Sequence, residues 1–455
     1  MSRLVVVSNR VALPGESRAG GLATALQAAL GERGGVWFGW SGKSVRGSGG
    51  ELHEYSSDGI RYFTVDLGRT DLDAYYNGFA NRTLWPLLHF RLDLVDYDRG
   101  TREGYHRVNA LFADRLAPLL REDDTVWIHD YHLIPLAALL RERGIGCRIG
   151  FFLHVPMPSA DLLMAMPDHQ RLFSTLYAYD LLGFQTRRDN DRFQSYVRLY
   201  GGGRIVGEDL LEVPGGRRVR TGAFPIGIDT VQIARQAAAA MPKPAVRALH
   251  ASLERRLLAI GVDRLDYSKG LPERFHGFER YLQRHPGQHG TLTYLQIAPV
   301  SRGGVDEYRL LRGQLEQIAG HINGAHAAPD WTPLRYVNRN FPHATLAGFY
   351  RSARVGLVTP LRDGMNLVAK EYVAAQDPAD PGVLVLSLLA GAAQEMSAAL
   401  PVNPHDLDGV ADAIACAATM PLAERRERWR AMMDHLLEHD IHAWRRRYLD
   451  ALASA

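Results

Sequence analysis

Short apolar runs alternate with segments of helical spacing along the chain. Runs that predict buried strands lie at residues 4–7, 37–40, 125–130, 147–153, 181–186, 257–262, 294–300, 334–337, 355–358 and 383–388. Segments whose apolar residues recur every three to four positions predict helices between many of these runs, among them 133–143, 189–200 and 367–376. This alternation is typical of doubly wound α/β domains with parallel sheets.

The pattern pauses near residues 223–229 and restarts with the apolar run at 257–262. A length of 455 residues also favours two domains, because single hydrophobic cores stop growing beyond about 250–300 residues. Ligands of open α/β sheets bind beyond the carboxyl ends of the strands. We therefore expect two domains that face each other across a cleft, with the binding groups at strand ends.

Composition and charge act mainly by excluding classes of protein. The chain is 46% hydrophobic and 23% charged, as in soluble globular proteins, and its net charge of +3 is too small to indicate nucleic acid binding. No apolar run reaches the roughly 18 residues of a membrane span or has the form of a signal peptide. Cys147 and Cys416 lie in apolar segments without ligand-type neighbours, so we expect both in the core of a cytoplasmic enzyme.

Polar side chains follow the predicted strands of the first half. Arg10 comes after the first strand, and Asp130 and His154 end two later ones. The pair Gly20 and Gly21 opens a helical segment, where glycine would let backbone N–H groups approach a diphosphate. Each feature has an ordinary alternative: a solvated cation, a core histidine or a plain turn.

The second half places charge on two loops that follow strands. Arg264 and Lys269 share one short loop before a helix, and two such cations suit the phosphates of a nucleotide diphosphate. A solvent-exposed basic loop is the competing interpretation. Asp363 and Glu371 flank the start of the helix at 367–376. They could form an acid–base pair, bind sugar hydroxyls or belong to an ordinary strand-to-helix turn.

Short Asp-x-Asp sequences at 71–73, 96–98 and 406–408 superficially match a metal-binding motif. They lack the apolar strand context that such a site needs. Arg264 and Lys269 already supply countercharge for a diphosphate. We therefore expect neither a metal ion nor a cofactor.

Taken together, these motifs resemble the trehalose-6-phosphate synthases, a family of retaining glycosyltransferases with the GT-B fold. The resemblance covers essentially the whole chain and rests on residues 4–10, 20–23, 37–42, 75–77, 84–86, 128–133, 152–158, 263–270 and 361–372. It implies transfer of glucose from a nucleotide-diphosphate glucose, usually UDP-glucose, to glucose 6-phosphate. The product would be α,α-trehalose 6-phosphate, with the anomeric configuration retained.

The resemblance also implies an organisation of the chain. An acceptor-binding Rossmann-like domain would occupy residues 1–227 and be joined by a C-terminal crossing helix at about 436–455. A nucleotide-sugar-binding Rossmann-like domain would occupy 228–435. The partners would be the two small-molecule substrates rather than nucleic acid or a membrane, and assembly into a homo-oligomer stays open.

Individual roles follow by the same resemblance. The residues expected in catalysis are Arg264, Lys269, Asp363 and His154. The expected donor-binding residues are Gly20, Gly21, Arg264, Lys269, Phe341, Leu367, Val368, Ala369, Lys370 and Glu371. Within that set, Phe341 lies near the base and Glu371 on the ribose, while Asp363 holds the transferred glucose. The expected acceptor-binding residues are Arg10, Tyr76, Asp130 and Arg302, and Trp85 with His154 would shape the site around the α linkage.

The mechanism implied is same-face attack, in which the departing phosphate takes the acceptor proton. Three alternatives stay open: a catalytically inactive homologue that senses glucose 6-phosphate, a pseudo-glycosyltransferase that couples a cyclitol nucleotide donor, and a preference for GDP-glucose or ADP-glucose.

Overall fold

The computed structural model describes residues 2–14, 26–27, 30–31, 34–300 and 306–455. Over these residues the chain forms two compact units. The first comprises Met1–Ile226 together with Trp444–Ala455, and the second comprises Gly227–Ala443. Both are built on a β-sheet with helices, so the expected α/β class is correct.

The first unit contains a ten-stranded sheet. Its strands are β1 (Leu4–Arg10), β2 (Gly35–Val45), β3 (Gly49–Ser57), β4 (Ile60–Gly68), β5 (Thr125–His129), β6 (Arg148–Phe152), β7 (Leu181–Phe184), β8 (Arg204–Gly207), β9 (Leu210–Glu212) and β10 (Arg218–Ala223). They lie in the order β3-β4-β2-β1-β5-β6-β7-β10-β9-β8. The strands from β4 to β10 in this order pair in parallel, as the apolar runs predict.

The edges of this sheet depart from the expected parallel arrangement. β3 pairs with β4, and β9 with both β8 and β10, in antiparallel fashion. Two-residue connections such as Asp58–Gly59 allow only a hairpin, since a parallel crossover needs a dozen or more residues. Asp58 and Gly59 have φ values of 51° and 76°, the signature of a type I′ turn. The Asp-Gly pair was the sequence signal for this hairpin.

The helices of the first unit cover the sheet. They are α1 (Arg69–Leu72), α2 (Trp85–Leu88), α3 (Arg99–Leu116), α4 (Leu136–Glu142), α5 (Ala160–Leu163), α6 (His169–Phe173) and α7 (Arg187–Leu199). Between α1 and α2 the backbone forms a π-helix, Asp73–Leu84. Wide turns of this kind are rare and frequently occur at functional sites.

The second unit contains a six-stranded sheet in which every pairing is parallel. Its strands are β11 (Leu257–Val262), β12 (Leu292–Ile297), β13 (Leu334–Val337), β14 (Val355–Val358), β15 (Val383–Ser387) and β16 (Leu400–Val402), in the order β13-β12-β11-β14-β15-β16. The order reverses between β11 and β14. Ligands of doubly wound sheets bind at such a switch point, beyond the carboxyl ends of the strands.

The remaining helices run from the second unit to the end of the chain. They are α8 (Thr230–Ala240), α9 (Pro244–Leu253), α10 (Leu271–Arg284), α11 (Asp306–His326), α12 (His343–Ser352), α13 (Leu367–Ala375), α14 (Leu407–Thr419), α15 (Leu422–Glu438) and α16 (Ile441–Ala453). The stretch at about 436–455 comprises the end of α15 and all of α16.

The chain returns to the first unit at Trp444. The preceding helix α15 is anchored in the second unit, where Trp429 Nε1 donates to the carbonyl of Val373 at 3.0 Å. In the first unit, Tyr448 then stacks on Trp127 with a centroid distance of 4.6 Å, and its hydroxyl donates to the carbonyl of Phe151 at 3.0 Å.

The two cysteines differ in environment. Cys147 is buried, as expected, whereas Cys416 is exposed on α14 and its predicted core position is wrong. The apolar composition around Cys416 reflects the buried face of the same helix, which carries Val410, Ile414 and Ala417. In the described part of the chain, no helix has the length and apolarity needed to cross a membrane.

Candidate functional site

Lys269 and Asp363 meet at the switch point of the second sheet. Lys269 lies on the loop that follows β11, and Asp363 lies on the loop that follows β14. Lys269 Nζ is 2.5 Å from Asp363 Oδ2, and the two side chains are only 13% and 14% exposed. Two groups that are 94 positions apart in sequence thus form one partly buried ion pair where a doubly wound sheet binds its ligand.

Arg274 holds the loop that carries Lys269. Its guanidinium is buried and donates to Asp263 at 2.6 Å, to Gln296 at 3.0 Å and to Thr359 at 2.9 Å. It also donates to the carbonyl of Lys269 at 3.2 Å. Arg274 therefore ties three strand ends to the loop. Sequence analysis missed this role, because an arginine within a helical segment reads as solvent-exposed.

Asn366 organises the start of α13. Its φ of 81° places a non-glycine residue in the left-handed region, and its Oδ1 accepts from Ala369 N at 3.3 Å as the helix N-cap. Its Nδ2 also donates to Asp363 Oδ2 at 3.0 Å. Asn366 thus couples the cap of α13 to the carboxylate of Asp363. An asparagine directly before an apolar helical run was the signal that could have identified it.

Lys370 is directed into the interior of the second unit. Its side chain is fully buried, and Nζ lies 2.6 Å from Glu395 Oε2. Burial lowers the pKa of Lys370, while the charge of Glu395 opposes that shift. His435 contacts the other carboxylate oxygen of Glu395 at 3.1 Å. A donor-binding role of Lys370 can therefore involve only its backbone, and its side chain serves as an internal anchor for α13.

Glu371 and Phe341 lie on neighbouring elements of the second unit. Glu371 is 11% exposed and its Oε1 lies 3.4 Å from His343 Nε2. Phe341 packs edge-on against Phe349 at 5.3 Å, and the guanidinium of Arg339 lies 4.7 Å above its ring. Both environments suit a nucleoside, since an aromatic face and a carboxylate match a base and ribose hydroxyls.

Asp130 and His154 form the polar group of the first unit, at the ends of β5 and β6. Asp130 Oδ1 accepts from the backbone N–H of His154 at 3.2 Å, and Asp130 has a φ of 76°. A non-glycine residue in this conformation costs about 1–3 kcal/mol and is most common at functional sites.

The imidazole of His154 belongs to a buried hydrogen-bonded chain. Its Nε2 lies 3.0 Å from His129 Nδ1, and its Nδ1 lies 3.4 Å from the amide nitrogen of Gln185. Burial lowers the pKa of His154 to about 3, and burial together with His154 lowers the pKa of His129 well below its usual value. Both rings are neutral near pH 7. With both ring nitrogens engaged in this way, the neutral ring of His154 can shape the site but does not supply a cation.

Aromatic rings surround the other predicted residues of the first unit. Tyr76 lies on the π-helix and stacks on His132 at a centroid distance of 5.8 Å. Trp85 is buried, with ring contacts to His89 at 4.0 Å and to Tyr131 at 5.7 Å. Tyr76 thus combines a half-buried ring with a hydroxyl, which suits a sugar ligand.

The remaining predicted site residues are less informative. Arg10 ends β1 and Arg264 lies on the loop after β11, and both are exposed. Gly20, Gly21 and Arg302 fall outside the residues that the structure describes.

Two of the three Asp-x-Asp sequences contribute helix caps. Asp98 caps α3 by accepting from Thr101 N at 2.8 Å, and Asp406 caps α14 by accepting from Gly409 N at 3.0 Å. Over the described ranges, no three His, Cys, Asp or Glu side chains are placed to hold a metal ion together.

Known proteins match this chain over essentially its full length. The family model described as glycosyltransferase family 20 matches residues 6–454. The trehalose-6-phosphate synthase of Sinorhizobium fredii is 53% identical over 460 residues, which cover 100% of this chain and 99% of that protein.

Solved structures agree with the sequence comparison. The α,α-trehalose-phosphate synthase (UDP-forming) of Burkholderia xenovorans in complex with glucose-6-phosphate is 49% identical with a TM-score of 0.96, covering 99% of this chain and 100% of that one. An E. coli structure bound with UDP-2-fluoro glucose is 49% identical with a TM-score of 0.95, covering 99% of both chains. The predicted GT-B class is confirmed, and the chain belongs to glycosyltransferase family 20.

Proposed function

We propose that this protein is a retaining glucosyltransferase that transfers glucose from UDP-glucose to glucose 6-phosphate and so produces α,α-trehalose 6-phosphate and UDP. The observation that carries the proposal is the Lys269–Asp363 pair at the switch point of the second sheet, at 2.5 Å. Relatives with bound glucose-6-phosphate and UDP-2-fluoro glucose support the choice of both substrates.

The second unit supplies the chemistry of the donor in this proposal. Lys269 and Arg264 bind the diphosphate, which gains negative charge as the glycosidic bond breaks. Fixed cations at that position stabilise the transition state more than the ground state. Asp363 accepts hydrogen bonds from the transferred glucose, and Glu371 accepts them from the ribose. The backbone of residues 367–371, with Phe341, completes the nucleotide site.

In this proposal, Lys269 and Asp363 compensate each other's charge before the donor binds and contact the donor afterwards. In the structure, each charge neutralises the other at 2.5 Å. A bound donor offers Lys269 a phosphate and offers Asp363 a sugar hydroxyl, so both groups keep a partner of suitable charge. The pair therefore keeps a buried cation and a buried carboxylate compensated before the donor binds, which lowers the cost of holding them ready.

The first unit supplies the acceptor site. Arg10 and Arg302 match the dianionic phosphate of glucose 6-phosphate, while Tyr76 and Asp130 bind its hydroxyls. Trp85 and the neutral imidazole of His154 shape the surroundings of the new linkage. Gly20 and Gly21 approach the donor. The reaction proceeds by same-face attack, with the leaving phosphate taking the acceptor proton, and needs no resident cofactor or metal.

The test is an assay of UDP release coupled to identification of the product. We expect UDP and trehalose 6-phosphate to form in equal amounts from UDP-glucose and glucose 6-phosphate. Parallel reactions with GDP-glucose and ADP-glucose establish the donor preference, and a cyclitol nucleotide donor tests the pseudo-glycosyltransferase alternative. Absence of nucleoside diphosphate release with every donor, whether UDP, GDP or ADP, would favour the inactive sugar-phosphate sensor. The proposed location is the cytoplasm.

A further inference from the structure

His343 links Glu371 to a second helix. It is the first residue of α12, and its side chain is 51% exposed. Its Nε2 lies 3.4 Å from Glu371 Oε1 on α13, and its Nδ1 lies 3.3 Å from Gln236 Oε1 on α8. Both partners are acceptors, whereas a neutral imidazole carries one N–H. Two simultaneous contacts of this kind suit the imidazolium form, which donates from both nitrogens.

Several titratable groups on the elements packed against α12 have partners of their own, among them Lys370 on α13, which pairs with Glu395 at 2.6 Å. α9 contributes His250, whose Nε2 lies 2.7 Å from Ser352 Oγ at the opposite end of α12. β11 leads to Asp263, which accepts from Arg274 at 2.6 Å. Among these described neighbours, the carboxylate of Glu371 is therefore the charge that faces the imidazole. The positive N-terminus of α12 disfavours the protonated form of that imidazole.

We propose that His343 is a positioning residue that fixes the carboxylate of Glu371 for the ribose hydroxyls of the donor, and that it makes donor affinity depend on pH. The inference rests on the proposed function, in which Glu371 binds the ribose. Nothing in the sequence motifs pointed to His343, because it lies outside the motif at residues 361–372 and precedes it by a helix and a strand.

The direction of the pH effect follows from the contact. The hydrogen bond from His343 to Glu371 raises the pKa of the imidazole, and partial burial opposes that shift. The protonated form therefore persists above the usual range of histidine. Donor affinity is highest at low pH, where the imidazolium holds both partners, and falls as the pH rises through the raised pKa. Loss of a charge-assisted bond in favour of a neutral one corresponds to about fivefold weaker binding.

The experiment measures UDP affinity by calorimetry and the KM for UDP-glucose between pH 6 and pH 8.5, in wild type, His343→Gln and His343→Arg. We expect wild-type affinity to fall about fivefold over this range. His343→Gln should be weak at every pH, and His343→Arg should stay tight at pH 8.5. The kcat should change little, because the contact lies on the nucleotide and not at the reacting bond. The matched control His250→Gln should keep the wild-type profile.

The outcomes separate this inference from the proposed function. If trehalose 6-phosphate forms but His343→Gln binds UDP with wild-type affinity at every pH, His343 has no positioning role. The same conclusion follows if His343→Arg is as weak as His343→Gln at pH 8.5. If no trehalose 6-phosphate forms while His343→Gln still loses UDP affinity, the proposed reaction fails and the positioning role stands.

Discussion

The two units of the molecule organise their polar groups in opposite ways. The second unit relies on compensated charges: Lys269 with Asp363, and Lys370 with Glu395. The corresponding region of the first unit places the carboxylate of Asp130 beside neutral rings, since burial holds His129 and His154 uncharged. Both groups follow parallel strands, so the fold places them alike and the chemistry of the side chains separates them.

This difference matches the separate demands of donor and acceptor. A leaving diphosphate needs cations, and buried cations need carboxylates to compensate them while the site is empty. The sugar part of an acceptor carries no charge, and the uncharged ring of His154 matches it without an ion to compensate. Substitutions at each ion pair and at each neutral ring test this contrast between the two units.

The largest effect should come from the internal anchor of the second unit. Lys370→Ala leaves the carboxylate of Glu395 buried with only His435 as a partner, which should cost about 3–5 kcal/mol. For a unit of this size, we expect the thermal midpoint to fall by about 10 °C. The double variant Lys370→Met with Glu395→Leu removes both charges and should recover most of the loss in the same melting experiment. Equal melting temperatures of Lys370→Ala and wild type would show that the Lys370–Glu395 pair does not stabilise the fold.

The catalytic pair should give the next largest effect. Asp363→Ala removes the proposed sugar ligand and the partner of Lys269, so kcat should fall about a hundredfold or more. Turnover is measured as UDP release, with the melting temperature recorded for the same variant. Unchanged turnover would remove Asp363 from the transferred glucose. The control is Asp330→Ala, which removes an exposed carboxylate in the same unit.

The neutral rings of the first unit should make the protein sensitive to acid. In the unfolded chain, a histidine binds a proton below about pH 6.5, whereas folded His154 has a pKa of about 3. The unfolded state then binds more protons, so stability falls as the pH drops below 6.5, by about 1.4 kcal/mol per pH unit for each such group. Melting at pH 7 and pH 5 should show a smaller difference for His154→Gln than for wild type. An identical difference would mean that His154 is not held neutral.

The smallest predicted effect, on the stability of Asp406→Ala, distinguishes a helix cap from a metal ligand. Asp406→Ala should lower stability by about 1 kcal/mol through loss of the α14 cap, and it should leave turnover unchanged. Treatment of the wild type with EDTA should also leave UDP release unchanged. Activity that is lost with EDTA and restored by Mg²⁺ or Mn²⁺ would contradict the metal-independent mechanism.

Sequence reasoning was most accurate where buried parallel strands dictate the pattern. The strands β11 and β14 begin and end at the predicted residues, because strands buried on both faces are continuous apolar runs. The edge hairpins were missed, since a strand with one solvent face alternates and its pairing depends on short turns. The π-helix Asp73–Leu84 has no recognisable pattern in local sequence.

The sequence predicted which loops form the site but not which side chains contact each other. Lys269 and Asp363 were both predicted, yet their direct contact depends on the adjacency of β11 and β14, which no local pattern specifies. Lys370 was assigned to the donor as part of a motif, and only the folded structure shows its side chain turned towards Glu395. Periodicity reports which residues are buried, whereas partner choice depends on the tertiary fold.

The most direct test of the charge-based donor site is the affinity for UDP of Lys269→Met, measured by titration calorimetry beside wild type. The exposed lysine variant Lys243→Met, in the same unit, serves as the matched control. We expect Lys269→Met to bind UDP at least about tenfold more weakly, since a charge-assisted contact to phosphate is lost, and Lys243→Met to bind as wild type. Wild-type affinity in Lys269→Met would contradict the assignment of the donor diphosphate to this pair.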